Sequence, residues 1–348
     1  MFHTRKEEMD MVSISLCMIV KDEERILARC LDTVADLVDE IIIVDTGSTD
    51  RTKEIAAKYT DKIFDFVWID DFSAARNFAF SKATKEYIYS ADADEVIDEE
   101  NRKRFRILKE NLLPEIELVQ MKYGNQLQFG SVYNFDEEYR PKLFKRKRDF
   151  VWEGAIHETV RTFPIVYDSD IVITHLQEES HAGRDLLNFR KQIDRGVHLN
   201  KRLHHMYAEE LYLAGEANDF AQALSFFEAS AANPDRDKDE IMEACVIVAH
   251  GARLANDHVT FFKYSTKLIA DEGCSEVCCE LGSFYEEKED FEEAAIWYYN
   301  AAFETAAILK AACSGKEPLE GLIRCYEKLQ LPEMVEQYTR QLEELTKL

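Results

Sequence analysis

Between Ser13 and Ala91, strand-like apolar runs alternate with amphipathic stretches, and this alternation limits the fold more than any other feature of the chain. Ser13 to Val20 and Glu40 to Asp45 read as strands, whereas Glu24 to Leu37 and Thr49 to Tyr59 place their apolar residues at helical spacing. Lys62 to Trp68 then reads as an edge strand, Ser73 to Thr84 as a helix, and Glu86 to Ala91 as a strand that stops at Asp92. Such alternation predicts a mainly parallel sheet with right-handed crossovers. Ligands of these sheets bind beyond the carboxyl ends of the strands, so candidate functional residues are sought there.

From about Asp185 the strand signal disappears and apolar residues recur at helical spacing to the C-terminus. Leu281, Gly282 and Tyr285 form L-G-x-x-Y, continued by Phe291, Ala294, Tyr298 and Ala301, the tetratricopeptide pattern of small residues where two helices touch. Weaker copies occur around Asp219 to Pro234, Asn256 to Lys267 and Leu322 to Tyr338. One helical hairpin cannot bury its apolar face, so at least three stacked repeats are expected, and the space accommodates four. The reading is therefore an α/β domain over residues 12–184 and an all-α repeat domain over 185–348.

A formal charge of -25, from 43 basic and 68 acidic side chains, opposes binding to a phosphate backbone or an anionic membrane, so no nucleic-acid partner is expected. No apolar run approaches the about 18 residues of a membrane span, and Met1 to Met11 is too polar for a signal-peptide core. A cytoplasmic location is the expectation. The eight cysteines are scattered through predicted helices, which favours reduced thiols, and Cys274, Cys278 and Cys279 lack the paired spacing of a zinc site.

Two segments at strand ends carry chemistry. Asp45 closes an apolar strand and opens Asp45-Thr46-Gly47-Ser48-Thr49-Asp50, where Gly47 permits a tight turn and the hydroxyl and acidic residues suit a helix cap. Asp45 either caps that turn or accepts a hydrogen bond from a nucleobase or ribose. In Ala91-Asp92-Ala93-Asp94-Glu95, residues two apart in an extended segment project to one side, so Asp92 and Asp94 suit a hard cation such as Mg2+ or Mn2+. In so acidic a chain the pattern alone also describes a solvated turn.

Leu16 to Glu24, Val44 to Asp50, Asp71-Phe72-Ser73-Ala74-Ala75-Arg76-Asn77 and Ala91 to Glu95, taken in this order, resemble the motifs of a family 2 glycosyltransferase over roughly residues 12 to 180. The resemblance implies a GT-A-like, Rossmann-like domain that binds a nucleotide-sugar, UDP-linked, with Mn2+ or Mg2+. It assigns Val20, Glu23 and Asp45 to the nucleotide pocket, with Asp45 on the base. Arg76 and Asn77 fall to the pocket wall, Asp92 and Ala93 to the ribose or diphosphate, and Asp94 to the metal. Asp22 departs from the Asn more usual in such relatives, which leaves Glu23 as the safer assignment. Arg140 to Arg146 and Trp152-Glu153-Gly154-Ala155-Ile156-His157-Glu158 resemble the acceptor-side segment of transferases with a helical repeat tail, among them the peptide glycosyltransferases of bacteriocin systems.

Glu158 is the preferred general base for an incoming hydroxyl or thiol, and His157 is its competitor, because an unperturbed imidazole titrates near neutrality. Ile171 to His175 delivers a histidine to a strand end, where the resemblance makes His175 a second metal ligand. The basic run Lys142, Lys145, Arg146, Lys147 and Arg148 is read as a flexible cover over the diphosphate. Neither a Q-x-x-R-W segment nor a Gly-rich phosphate loop is present, which favours single transfer and disfavours a nucleotidyltransferase. The expected function is metal-dependent, inverting transfer of one sugar to a soluble acceptor, whether peptide, protein or small molecule. A homo-oligomer is compatible with the sequence. The alternative is an inert scaffold that binds a partner peptide through its repeats.

Overall fold

The computed structural model describes residues 11–124, 138–160, 163–176 and 182–345. The chain divides into two compact units, Met1–Ser180 and His181–Leu348.

The first unit opens with β1 (Ile14–Val20), α1 (Leu27–Val34), β2 (Glu40–Asp45), α2 (Thr52–Ala56), β3 (Ile63–Asp65), α3 (Phe72–Lys82) and β4 (Tyr87–Ser90). Then come β5 (Glu95–Val96), α4 (Glu99–Asn111), β6 (Leu118–Gly124), β7 (Glu138–Lys145), β8 (Trp152–Glu153), β9 (Thr159–Val160) and β10 (Val166–His175). Among the described residues the main sheet has eight strands in the order β3-β2-β1-β4-β7-β6-β10-β5, and β8 and β9 pair separately. β3 is the edge strand anticipated from the sequence.

Alternation along each strand builds a core on both faces. Ile14, Leu16, Met18 and Val20 of β1 pack with Leu27, Leu31 and Val34 of α1 and with Phe105 of α4. Cys17 of β1 and Ile42 and Val44 of β2 turn to the other face, against Ala79 and Phe80 of α3.

The sheet is mixed rather than mainly parallel. β1 is parallel to β2 and β4, but β7 runs antiparallel between β4 and β6, and β5 runs antiparallel to β10. β7 reads Glu-Tyr-Arg-Pro-Lys-Leu-Phe-Lys and has no β-branched residue to mark it as a strand. With its helices, this sheet is the GT-A-like architecture implied by the motifs.

The second unit is helical: α5 (Ala182–Asp194), α6 (Lys201–Ala214), α7 (Ala217–Ala232), α8 (Lys238–Leu254), α9 (His258–Asp271), α10 (Ser275–Glu287), α11 (Phe291–Phe303), α12 (Lys316–Lys328) and α13 (Pro332–Leu345). After α5, the described helices pair into four hairpins starting at Lys201, Lys238, Ser275 and Lys316, a few residues wider than the about 34-residue tetratricopeptide spacing. Gly282 of α10 and Gly321 of α12 both face the ring of Tyr298 on α11. A Cβ there would lie 2.8 Å and 2.7 Å from ring atoms, so close approach requires glycine at both positions. All eight cysteines are buried free thiols. Among the described residues no helix is long and apolar enough to cross a membrane.

Candidate active site

The carboxyl ends of β1, β2 and β4 lie side by side because the three strands are parallel neighbours, with Val20 opposite Asp45. Asp45 is buried, and its Oδ1 accepts the N–H groups of Gly47 (3.0 Å) and Ser48 (2.9 Å). That turn depends on Gly47 at φ 108°. The other oxygen, Oδ2, is buried without a hydrogen-bond partner among the described residues. Asp45 thus both caps its turn and retains an acceptor.

The loops after β1 and β2 are laced together. Val20 accepts from the Thr46 N–H (2.9 Å), Asp22 Oδ1 from the Thr49 N–H (2.7 Å), and Thr52 Oγ1 from the Glu23 N–H (2.7 Å). The amide oxygen of an Asn could take the role of Asp22, so the departure at this position leaves the lacing intact.

Asp92 and Asp94 lie in a turn, closed by the Glu95 N–H donating to the Asp92 carbonyl at 3.2 Å, rather than in the extended segment anticipated. Their carboxylates accordingly have different partners. Asp92 Oδ1 accepts from Arg76 Nη2 at 3.0 Å, while Asp94 Oδ2 lies 2.8 Å from His175 Nε2. The Ala93 side chain packs into the core, so only its backbone can serve the pocket. His175 closes β10, pairs with Glu95 of β5, and lies 5.1 Å from the Tyr123 ring, centroid to centroid.

The Asp94 and His175 pair suits a divalent cation. The 2.8 Å separation is a hydrogen bond between the two side chains, which a cation would replace, and carboxylate with imidazole is a donor set that suits Mn2+. Among the described residues no group of three or more His, Cys, Asp and Glu is arranged to hold a metal. A cation at this pair therefore needs oxygens from a ligand or water to complete its shell.

Arg76 and Asn77 are adjacent on α3 and serve different partners. The Asn77 amide donates to the Trp152 carbonyl (2.9 Å) and accepts from its N–H (2.8 Å), so it holds the β8–β9 hairpin. Arg76 bonds Glu158 through Nε, Ser90 Oγ through Nη1 (3.1 Å) and Asp92 through Nη2. Glu158 consequently sits inside the pocket, its side chain 11% exposed, and reaches Asp92 through one guanidinium. Trp152 to Glu158 belong to the separate hairpin rather than to an end of the main sheet. Gly154 (φ 105°) and His157 (φ 47°) both have left-handed backbone there.

Burial opposes charge on Arg76, yet Asp92 and Glu158 raise its pKa above the ordinary value. Desolvation pushes the Asp92 carboxyl up, but Arg76 and Lys142 outweigh it and hold it below the usual range. For Glu95, burial wins over its ion pair with Lys142 and the carboxyl is shifted upward.

The basic run does not form a cover over this pocket. Lys142 is buried beside Glu95, but Lys145 pairs with Tyr87 at the amino end of β4, because β7 runs antiparallel to it. Lys145 and Arg146 bond the carbonyls of Pro114 and Lys85, and Arg148 pairs with Glu117. Sequence reasoning missed Tyr123 as part of the site and put Lys142 in a flexible cover, whereas it is buried beside Glu95. For Lys142 the signal was its alternation with Leu143 along a strand.

The mixed α/β sheet, with carboxylates at adjoining strand ends and a histidine from a neighbouring strand, defines a GT-A-like domain. Residues 15–165 match the profile of glycosyl transferase family 2, and the chain carries a domain of that family. A TPR repeat-containing protein of Synechococcus elongatus is 37% identical over 152 residues, 43% of this chain and 36% of the relative. The SPbeta prophage-derived glycosyltransferase SunS of Bacillus subtilis is 38% identical over 174 residues, 47% of this chain and 38% of the relative. The matches thus span little more than a third of these relatives' length. Among solved structures, the glucosyl-3-phosphoglycerate synthase of Mycobacterium tuberculosis matches with TM-score 0.40 and 12% identity, over 55% of this chain and 81% of that one. Residues 1–349 of S. aureus TarS match with TM-score 0.36 and 13% identity, over 82% and 90%.

Proposed function

We propose that the chain transfers one sugar from a UDP-linked donor to an acceptor nucleophile, with inversion and with Mn2+ or Mg2+ as cofactor. The observation that carries this reading is the placement of Asp45 at the end of β2, of Asp92 joined through Arg76 to Glu158, and of Asp94 beside His175, around the carboxyl ends of neighbouring strands. Asp45 Oδ2 is the acceptor for the imide N–H of uracil, because its other oxygen is committed to the turn. Asp94 and His175 hold the cation together with the donor diphosphate. When bound, that ion neutralises charge developing on the leaving group.

Glu158 takes the proton of the acceptor, a role its position beside Arg76 supports. His157 is the competing base. The helical unit presents the acceptor, and stacked hairpins favour an extended peptide or protein segment. The glycosyltransferase relatives support the reaction class.

A thermal-shift screen of UDP-, GDP- and dTDP-sugars with and without Mn2+ tests the reading, since a ligand of the folded state raises the melting midpoint by mass action. A UDP-sugar should raise it, and more so with Mn2+. No response to any donor would return the chain to a scaffold that binds a partner peptide.

A further inference from the structure

The β8–β9 hairpin cannot orient Glu158 by itself. Its ladder has two residue pairs, Trp152 with Val160 and Glu153 with Thr159, and a two-stranded hairpin is marginal even when longer. The loop also holds Gly154 and His157 at positive φ, a conformation non-glycine residues keep only under support from their surroundings.

That support comes from α3 at three points. The Phe72 N–H donates to the Ala155 carbonyl at 3.1 Å, Asn77 brackets the backbone of Trp152, and Arg76 binds the Glu158 carboxylate. The Arg76 guanidinium also lies 5.2 Å from the Trp152 ring, which packs against Phe80 and Phe144. Arg76 is itself committed on every nitrogen: Nε to Glu158, Nη1 to Ser90, and Nη2 to Asp92 at 3.0 and 3.4 Å. Two carboxylates already balance its charge, and its side chain is 14% exposed. These four bonds use at most four of its five N–H groups, and a donor phosphate would share the guanidinium with two carboxylates.

We infer that Arg76 is a positioning residue that fastens the hairpin to α3 and so presents Glu158 to the reacting centre, without touching the donor. The fastening stands on geometry alone, and its catalytic consequence rests on the proposed transfer reaction. Lysine keeps the charge at this position but loses the fork that spans Glu158, Ser90 and Asp92. Displacing a reacting group by about 1 Å costs about a hundredfold in rate, whereas the fork reaches the donor only through Asp92 and donor affinity should change far less.

The test uses the full chain. Trp68→Phe and Trp297→Phe leave Trp152 alone of the three tryptophans, so acrylamide quenching of its fluorescence reads the hairpin directly. In that background Arg76→Ala should raise the quenching constant at least twofold and Arg76→Lys by less. An unchanged constant in both variants, each melting cooperatively, overturns the fastening.

For function, UDP affinity with Mn2+ should stay within threefold in Arg76→Lys, and a tenfold loss would make Arg76 a donor contact. Turnover of UDP-glucose and UDP-N-acetylglucosamine should fall about a hundredfold in Arg76→Lys and at least as far in Glu158→Gln. The double variant should be no slower than Glu158→Gln alone, because both changes disable one carboxylate. Multiplied losses would overturn the inference. If the parent turns over no donor, the proposed reaction falls, while quenching still decides whether Arg76 fastens the hairpin.

Discussion

Asp45→Asn separates the two jobs of one carboxylate. Oδ1 accepts two backbone N–H groups at 3.0 and 2.9 Å, and Oδ2 is buried with no partner among the described residues. The amide oxygen of Asn can replace Oδ1 and keep the turn, which places the NH2 group where Oδ2 stood. A base that donates its imide N–H then meets a donor instead of an acceptor. A hydrogen bond to a charged group contributes about 1.5–3 kcal/mol, so UDP affinity should fall about 10- to 150-fold. Calorimetric titration of parent and variant with UDP and Mn2+ measures the loss, and thermal melting shows whether the turn is kept. Equal affinities in two proteins that melt cooperatively would refute the assignment of Asp45 to the base.

Asp94→Ala should abolish the Mn2+ dependence of UDP binding, and His175→Ala should weaken it less; titrations matching the parent would return the pair to a structural role. Gly321→Ala drives a methyl to within 2.7 Å of the Tyr298 ring. Overpacking costs about 1–3 kcal/mol, offset by the about 0.5–1 kcal/mol alanine gives a helix, so the urea midpoint should drop, and an unchanged midpoint would contradict the packing described for α10, α11 and α12. His205 Nδ1 lies 2.7 Å from Glu243 Oε1, and that bond raises its pKa above the ordinary 6.5. Its stabilisation is therefore full below pH 6.5 and lost as pH rises through the raised value, so His205→Gln should lower the melting temperature more at low pH than at high pH. An equal drop at both would contradict the ion pair.

The central strands and the pocket floor were legible because local chemistry marks them. Ile14–Val20 and Glu40–Asp45 are largely apolar runs, the first ending in Lys21-Asp22-Glu23-Glu24 and the second in Thr46-Gly47-Ser48-Thr49-Asp50, and a parallel sheet brings such ends together. The antiparallel insertion of β7 was not legible, since pairing between distant segments leaves no local trace, and the basic run was misplaced with it. The Ala91–Glu95 segment was found, but a turn in place of a strand sends Asp92 to Arg76 and Asp94 to His175. Asn77 and Trp152 are 75 residues apart in sequence, so their bond follows only from the fold. In the helical unit, Leu281-Gly282 with Tyr285 marked one hairpin, because Tyr298 demands glycine beside it. The other hairpins bury more ordinary residues and show a weaker signature.

In the proposed reaction, nucleotide and metal complete one site between Asp94, His175 and a diphosphate. Electron paramagnetic resonance of free Mn2+, titrated into the full chain with and without UDP, tests it most directly. Strong loss of the free-ion signal is expected only when UDP is present, because Asp94 and His175 leave most of the ion's coordination shell to the diphosphate and water. Equal Mn2+ binding with and without UDP, or none in either case, would contradict it.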